Sequence, residues 1–263
     1  MEASVIGIGW VTGAGFGWGG QGGDCVFSDL PLPQLARKDV FPEPNQRFGR
    51  MSDYSKLGLA ALAFALRDAG LEAWSAKRAI GVVAATRLGC LATDLDYHRT
   101  VLLQGGGLAS PNLFAYTLAN CFLGDAAIQF GLTGSSVAIN EGREGVDAVR
   151  IALEDLAMGE ADTIVAGICD LAVPQGYAGA LRLLPGAAFL VLTAATAGAQ
   201  SLQAAADAAK SPPTPLFQRG ESCGAAGYGT VSLADDGVLL FNGSAVGSLV
   251  ELVQTALAGR QIK

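Results

Sequence analysis

The stretch from Ser135 to Met158 constrains this chain most, because it predicts a strand, a tight turn and a helix in immediate succession. Val137-Ala138-Ile139 predicts a short buried strand, and the turn follows over Asn140-Glu141-Gly142-Arg143-Glu144-Gly145. Apolar residues then recur at helical spacing, at Val146, Val149, Leu153 and Leu156. Backbone N–H groups at a helix N-terminus favour negative charge, so such an elbow would activate a cysteine held there. This chain instead has Gly142 at the centre of the elbow, and glycine has no reactive side chain.

Strand-like and helical segments alternate along much of the chain. Strands are predicted over residues 4–11, 80–85, 164–167 and 187–192. Helices are predicted from a Ser52 or Ser55 cap to Gly70, and over residues 91–103 and 113–130. Residues 12–50 are rich in glycine and proline and show no period. This alternation predicts an α/β fold of parallel strands with helices on both faces.

Several motifs, in the same order along the chain, resemble those of the β-ketoacyl-ACP synthases. The elbow frame matches the family's T-A-C-S-S-G, with Gly142 at the cysteine position. The other similar segments are Val5–Thr12, Ser110-Pro111-Asn112, Asn120–Gly134, Met158–Gly167 and Gly186–Leu192. The resemblance implies the family's thiolase-like layered α-β-α-β-α fold. Residues 1–200 resemble an intact N-terminal half, and residues 201–263 resemble a reduced remnant of the C-terminal half.

The resemblance fails at each position where the family has a catalytic side chain. Gly220-Glu221-Ser222-Cys223-Gly224-Ala225-Ala226-Gly227 resembles G-H-T-L-G-A-A-G, with Glu221 at the histidine position. The family's lysine falls on Leu216, and its other histidine has no counterpart. The resemblance therefore implies no catalytic residue at these degenerate positions, and a chain that is not an enzyme on its own.

Family members pair through the elbow strand, and a loop of one subunit closes the acyl pocket of the other. The resemblance places interface and acyl-pocket roles on seven residues: Phe114, Tyr116, Thr117, Cys121, Val137, Ile139 and Asn140. Val137 and Ile139 are predicted on one face of the strand, and Ala138 and Asn140 on the other.

Three functions remain open from the sequence. The favoured one is a non-catalytic subunit, similar to a chain-length factor, which pairs with an active ketosynthase and shapes its acyl pocket in fatty-acid or polyketide/polyene-type biosynthesis. Such a subunit would meet the acyl carrier protein only indirectly. The second is a homodimeric scaffold that binds an acyl chain or a protein. The third is an enzyme with relocated residues, for which Cys121, Cys223 and Glu221 are the candidates.

Composition limits the partners. Hydrophobic residues make up 51% of the 263 residues and charged residues only 16%, which suggests a surface buried against a partner. The net charge of −7 makes nucleic acid a poor partner, and it disfavours a direct electrostatic contact with an acidic carrier protein. The five cysteines lack C-x-x-C spacing, which indicates reduced thiols in the cytoplasm and no zinc site. No cofactor, metal or membrane span is predicted.

Other signals have simple structural explanations. The glycines at positions 7, 9 and 13 hint at a dinucleotide loop, but no helical pattern follows them. His98 is the chain's one histidine, and its charged neighbours predict a solvated helix residue. The charged elbow residues Glu141, Arg143, Glu144 and Asp147 form either an acid/base cluster or a helix start that favours acids. The second explanation is preferred.

Overall fold

The computed structural model describes residues 1–103, 105–177, 183–194 and 227–260. In these residues nine strands form one sheet in the order β4-β3-β5-β6-β1-β7-β8-β9, with β2 paired to β1. The strands are Glu2–Thr12 (β1), Gly15–Trp18 (β2), Ile80–Thr86 (β3), Ser136–Asn140 (β4), Thr163–Asp170 (β5), Gly186–Ala194 (β6), Gly229–Leu233 (β7), Leu239–Phe241 (β8) and Ser244–Ala245 (β9). The α-helices are Arg37–Val40 (α1), Asp53–Asp68 (α2), Leu91–Leu102 (α3), Pro111–Phe114 (α4), Cys121–Phe130 (α5), Val146–Met158 (α6) and Leu249–Arg260 (α7).

The α/β class is confirmed, but the sheet is mixed rather than parallel. β3 pairs in parallel with β4 and with β5. β6 pairs antiparallel with both β5 and β1, and β7 is antiparallel to β1. Parallel neighbours need a crossover, usually a helix, whereas antiparallel neighbours do not. The described parts of the β5–β6 connection contain no helix, which fits the antiparallel pair.

Helices cover both faces of the central strands. α2 and α5 bury one cluster, to which β3 contributes Val82 and Ala84. α6 and α7 bury a second cluster on the opposite face, to which β3 contributes Val83 and Ala85. Strands covered on both faces have near-continuous apolar sequences, as β3 and β6 do. No helix in the described ranges has both the length and the hydropathy needed to span a bilayer.

The N-terminal glycines allow α2 to pack closely on β1. A Cβ atom at Gly9 would lie 2.1 Å from the Ala65 backbone nitrogen in α2. β1 is followed by the β2 hairpin strand rather than by a helix, so this segment lacks the strand–loop–helix order of a dinucleotide site.

Two local predictions near the elbow need correction. The helix predicted over residues 113–130 is two helices, α4 and α5. Between them the Tyr116 N–H donates to the Leu113 carbonyl and the Thr117 N–H to the Phe114 carbonyl, which are turn bonds rather than α-helical ones. The Thr117 hydroxyl also donates to the Phe114 carbonyl. The predicted buried strand Val137–Ile139 is β4, which is partly exposed because β3 is its one neighbour in the described sheet.

The last described segment, residues 227–260, packs against the elbow. β7, β8 and β9 extend the sheet beyond β1, and α7 then packs on the α6 face. The Leu249 N–H donates to the Glu144 carbonyl at 3.0 Å. Gly145 has a positive φ of 88°, and a Cβ there would lie 2.6 Å from the side chains of Leu249 and Ile168. The start of α7 therefore holds the end of the elbow in place.

Candidate functional site

The candidate site lies where three parallel strands end. Thr86, Asn140 and Asp170 are the last residues of β3, β4 and β5. Parallel strands bring their carboxyl ends to one edge of the sheet, which is the usual place for a site in an α/β fold. The elbow between β4 and α6 starts at this edge, so Glu141 and Gly142 lie beside the ends of the other two strands.

Asp170 organises the loop after β3. Its Oδ1 accepts hydrogen bonds from the Thr86 hydroxyl at 2.8 Å, the Arg87 N–H at 2.9 Å and the Leu88 N–H at 3.0 Å. Burial raises the pKa of this carboxyl, while the bonds from Leu88, Thr86 and Arg87 lower it. The carboxylate therefore holds a backbone turn and has little remaining capacity to act on a ligand.

Glu141 caps α6 from upstream. Its own N–H donates to the Thr86 carbonyl at 3.0 Å, which continues the β3–β4 pairing. Its carboxylate accepts the N–H groups of Gly145 and, at 2.9 Å, of Asp147. Burial raises the pKa of Glu141, and the two backbone donors oppose that shift. This supports the structural explanation of the charged elbow, as does the Arg143–Asp147 ion pair at 3.6 Å.

Gly142 is exposed and has room for a side chain. A Cβ built there would have the Arg87 guanidinium at 3.8 Å as its nearest neighbour, which is an ordinary contact distance. The φ of Gly142 is not among the positive ones, so a side chain would also fit the backbone. The Arg87 Nη1 donates to the Gly142 carbonyl at 3.3 Å. Neither lack of space nor backbone strain therefore requires a glycine at this position.

A cavity of about 220 Å³ opens beside the elbow. Its apolar wall comes from Ile168 of β5, Val250 of α7 and the loop residues Phe27 and Leu184. Its polar lining is Thr86, Arg87, Glu141, Glu144, Asp170, Ser248, Glu251 and Gln254. The cavity is large enough for a short acyl or alkyl group.

The residues predicted for the acyl pocket separate by exposure. Phe114 is 61% exposed at the end of α4, and its ring lies 5.5 Å from that of Tyr97. Tyr116 is half-buried and packs against the α2–α5 cluster. Cys121 is half-buried and donates to the Ala115 carbonyl at 3.1 Å. Of these residues and Thr117, Phe114 offers the largest accessible apolar side chain.

Within the described residues, no strand pairs with the outer edge of β4. Val82 N–H donates to the Ser135 carbonyl and Glu141 N–H to the Thr86 carbonyl, so odd-numbered residues of β4 direct their backbone groups toward β3. The backbone groups of Ser136, Ala138 and Asn140 therefore point away from the sheet. The side chains alternate as predicted: Ile139 packs on the α6 cluster and Ala138 on the α2 cluster.

The segment that leads into β4 has exposed apolar side chains and almost no charge. The resemblance marked Phe114 and Val137 in it, and the other exposed residues were not predicted. From Thr100 to Asn140 the single charged residue is Asp125. Large apolar side chains in this segment are exposed, and we call them the uncharged surface: Leu102, Leu103, Leu108, Phe114, Leu118, Ile128 and Val137. The run without charge was visible in the sequence, but its exposure was not.

The candidates for relocated catalysis have little support in the described residues. Burial raises the pKa of Cys121 and, with Asp94, raises that of Cys90 to about 12, so both thiols are protonated at neutral pH. His98 is exposed on α3 and has no cysteine partner among the described contacts. Leu216, Glu221 and Cys223 lie outside the described residues.

Comparison with known proteins identifies the class. Residues 34–185 match the family model "Beta-ketoacyl synthase, N-terminal domain". The 3-oxoacyl-[acyl-carrier-protein] synthase 2 of Vibrio cholerae is 32% identical over 133 residues, which cover 49% of this chain and 32% of that protein. The chain thus aligns with about a third of the length of this curated relative.

Solved structures agree on the fold. The ishigamide ketosynthase/chain length factor has a TM-score of 0.60 at 19% identity, covering 75% of this chain and 63% of that chain. A ketosynthase in complex with its chain length factor from Xenorhabdus doucetiae has a TM-score of 0.52 at 16% identity, covering 73% and 79% of the two chains. The fold is thiolase-like, and the chain belongs to the β-ketoacyl synthase family through that family's N-terminal domain.

Proposed function

We propose that this chain is a non-catalytic ketosynthase-like subunit, similar to a chain-length factor, which pairs with an active β-ketoacyl synthase. The observation that carries the proposal is the elbow. Gly142 stands at the nucleophile position although a side chain would fit there. The strand leading to it has no partner on its outer side among the described strands, and it carries Val137 of the uncharged surface. A subunit that retains the frame and lacks the nucleophile can still supply an interface.

The open edge and the uncharged surface together support a protein partner. Unpaired strand edges are a liability in water unless another chain covers them. Exposed apolar patches of several large side chains mark interaction sites more often than free surface. The chain length factor structures similar to this chain are complexes with a ketosynthase. For this chain we propose the same kind of partner, with its side chains shaping the partner's acyl pocket.

The proposal is tested with the intact chain and a ketosynthase from the same genome that has a complete Cys-His-His set. Both are purified separately, mixed and measured by size-exclusion chromatography with light scattering. We expect a one-to-one complex that condenses acyl and malonyl units, and no turnover by this chain alone. A stable homodimer that ignores the ketosynthase would favour the scaffold function, and turnover by the isolated chain would favour relocated catalysis.

A further inference from the structure

The N-terminus of α6 is occupied by a carboxylate of the chain itself. Helix N-termini leave backbone N–H groups unpaired, and these groups attract anions. Here the capping residue is Gly145, which has no side chain to satisfy them. Glu141, four residues upstream and only 9% exposed, accepts the N–H groups of Gly145 and Asp147 instead.

Glu141 is fixed in this place by the strand that precedes it. Its N–H is bonded to the Thr86 carbonyl, so its Cα cannot shift without breaking the end of the β3–β4 pairing. A group attached at position 142 would lie beside the Arg87 guanidinium, in the elbow whose helix-end donors Glu141 already uses. The charged side chains of the elbow and its surroundings are Arg87, Glu141, Arg143, Glu144 and Asp147.

We infer that Glu141 is an internal occupant of the anion site that the strand–elbow–helix frame creates, so that the elbow cannot offer these donors to an external anion or oxyanion. The adjoining cavity keeps its apolar wall of Phe27, Ile168 and Leu184 and accepts an uncharged acyl or alkyl group. This inference rests on the proposed function and deepens it. The occupied helix N-terminus is a second reason why the elbow would not catalyse a reaction, in addition to the glycine at position 142.

The test introduces a thiol as a reporter. The reference protein is Gly142→Cys, and the test protein adds Glu141→Gln, which keeps the side-chain shape and removes its charge. The matched control adds Glu144→Gln to the reference instead, because Glu144 lies in the same elbow and its side chain is exposed. Alkylation by iodoacetamide at pH 7.5 is followed at position 142 by peptide mass spectrometry, with buried Cys25 and Cys169 as internal references.

We expect Glu141→Gln to accelerate alkylation at position 142 by about threefold to fivefold, because one helix-end N–H loses its acceptor and a negative charge is removed, and both changes lower the thiol pKa. Glu144→Gln should change the rate by less than about twofold, since an exposed charge is screened. Equal rates in the reference and the Glu141→Gln protein would overturn the inference. So would equal acceleration by the two glutamine substitutions.

A second measurement avoids any dependence on the folding of these variants. In the unsubstituted chain the Asp147 amide should exchange slowly with deuterium in NMR spectra, because Glu141 accepts its hydrogen. Exchange at the rate of an unprotected amide would also overturn the inference. Neither measurement involves the partner, so failure of the complex and failure of this inference are distinguishable.

Discussion

At the scale of single residues, the carboxylates of the elbow serve the backbone. The Oδ1 of Asp170 accepts three hydrogen bonds from the end of β3 and the loop after it. Both carboxylate oxygens of Glu141 accept N–H groups at the start of α6. A buried carboxylate that is fully hydrogen-bonded stabilises a fixed turn and is a poor general base. These two acids therefore have a structural role.

Asp170→Asn should destabilise the fold by about 1–3 kcal/mol at neutral pH, because one acceptor becomes a donor that faces the Arg87 N–H. Burial raises the folded-state pKa of Asp170 above the unfolded value. The wild-type chain therefore gains stability relative to the variant as the pH falls through the folded-state pKa. Urea unfolding measured from pH 7.5 downward should show a difference that grows as the pH falls. A difference that shrinks as the pH falls would mean that the pKa is depressed.

Gly142→Cys should fold normally and should not restore condensation. The new side chain has space, but the family resemblance places Glu221 and Leu216 where the family has a histidine and a lysine. General acid/base groups typically contribute about 10²–10⁴-fold each, so a thiol alone remains far below an intact synthase. The assay is condensation of acyl- and malonyl-carrier substrates, with the thermal midpoint as the folding control. Turnover comparable to that of an intact synthase would contradict the proposed function.

At the scale of elements, β4 combines two roles. Its odd-numbered residues hold it to β3, and its even-numbered residues leave a row of backbone groups free at the outer edge. A partner strand would continue the sheet through that row. The two rows can be tested separately, because adjacent residues belong to different rows.

Ala138→Pro removes a donor from the outer row, and Ile139→Pro removes one from the row facing β3. Proline is tolerated on an edge strand where its missing N–H would face solvent. We therefore expect Ala138→Pro to stay folded as a monomer and to lose the complex with the ketosynthase. Ile139→Pro should lose thermal stability as well, so it is the matched control. Size-exclusion chromatography and circular dichroism distinguish the two outcomes, and an intact complex with Ala138→Pro would place the interface elsewhere.

The elements that the sequence predicted well share a strong local pattern. α2 begins at its Ser52 cap, and β3, β5 and α6 lie within a few residues of their predicted bounds. β2 was missed because Gly15 and Gly17 interrupt its strand pattern. The β8–β9 hairpin has an Asn242-Gly243 turn with positive φ at both residues. An Asn-Gly pair between two strands is a strong sequence signal for a hairpin, but no hairpin was predicted here.

The candidate site was predictable in place but not in detail. The elbow and the glycine at its centre follow from periodicity and from the family resemblance. The Glu141 cap does not, because its two donors are four and six residues away and the ordinary cap position precedes the helix directly. The open edge of β4 follows from its place at the end of the strand order. The sequence of residues 136–140 does not indicate which strands lie beside it.

At the scale of the whole molecule, the described chain leaves several large apolar side chains exposed outside its two core clusters. One cluster fills each face of the sheet, and the uncharged surface lies outside both. Val137 of this surface lies on β4 itself, so exposed apolar area and unpaired backbone occur on the same strand. An area of this kind fits a lasting partner better than a transient one, because obligate interfaces are the more hydrophobic class.

Phe114→Ala should lengthen the product of the complex, because Phe114 is the exposed aromatic in the segment that the family resemblance places at the partner's acyl tunnel. Removing its ring opens space for several methylene groups, each worth roughly 0.8 kcal/mol when buried. Tyr116→Ala should instead lower stability, since Tyr116 packs against the α2–α5 cluster. Ile128→Ala is the control for a general loss of apolar contact, because Ile128 is 64% exposed and lies outside that segment. The product lengths are measured by mass spectrometry for the co-expressed pair. If Phe114→Ala leaves the complex intact and the length distribution unchanged, the chain is a structural partner without a role in chain length.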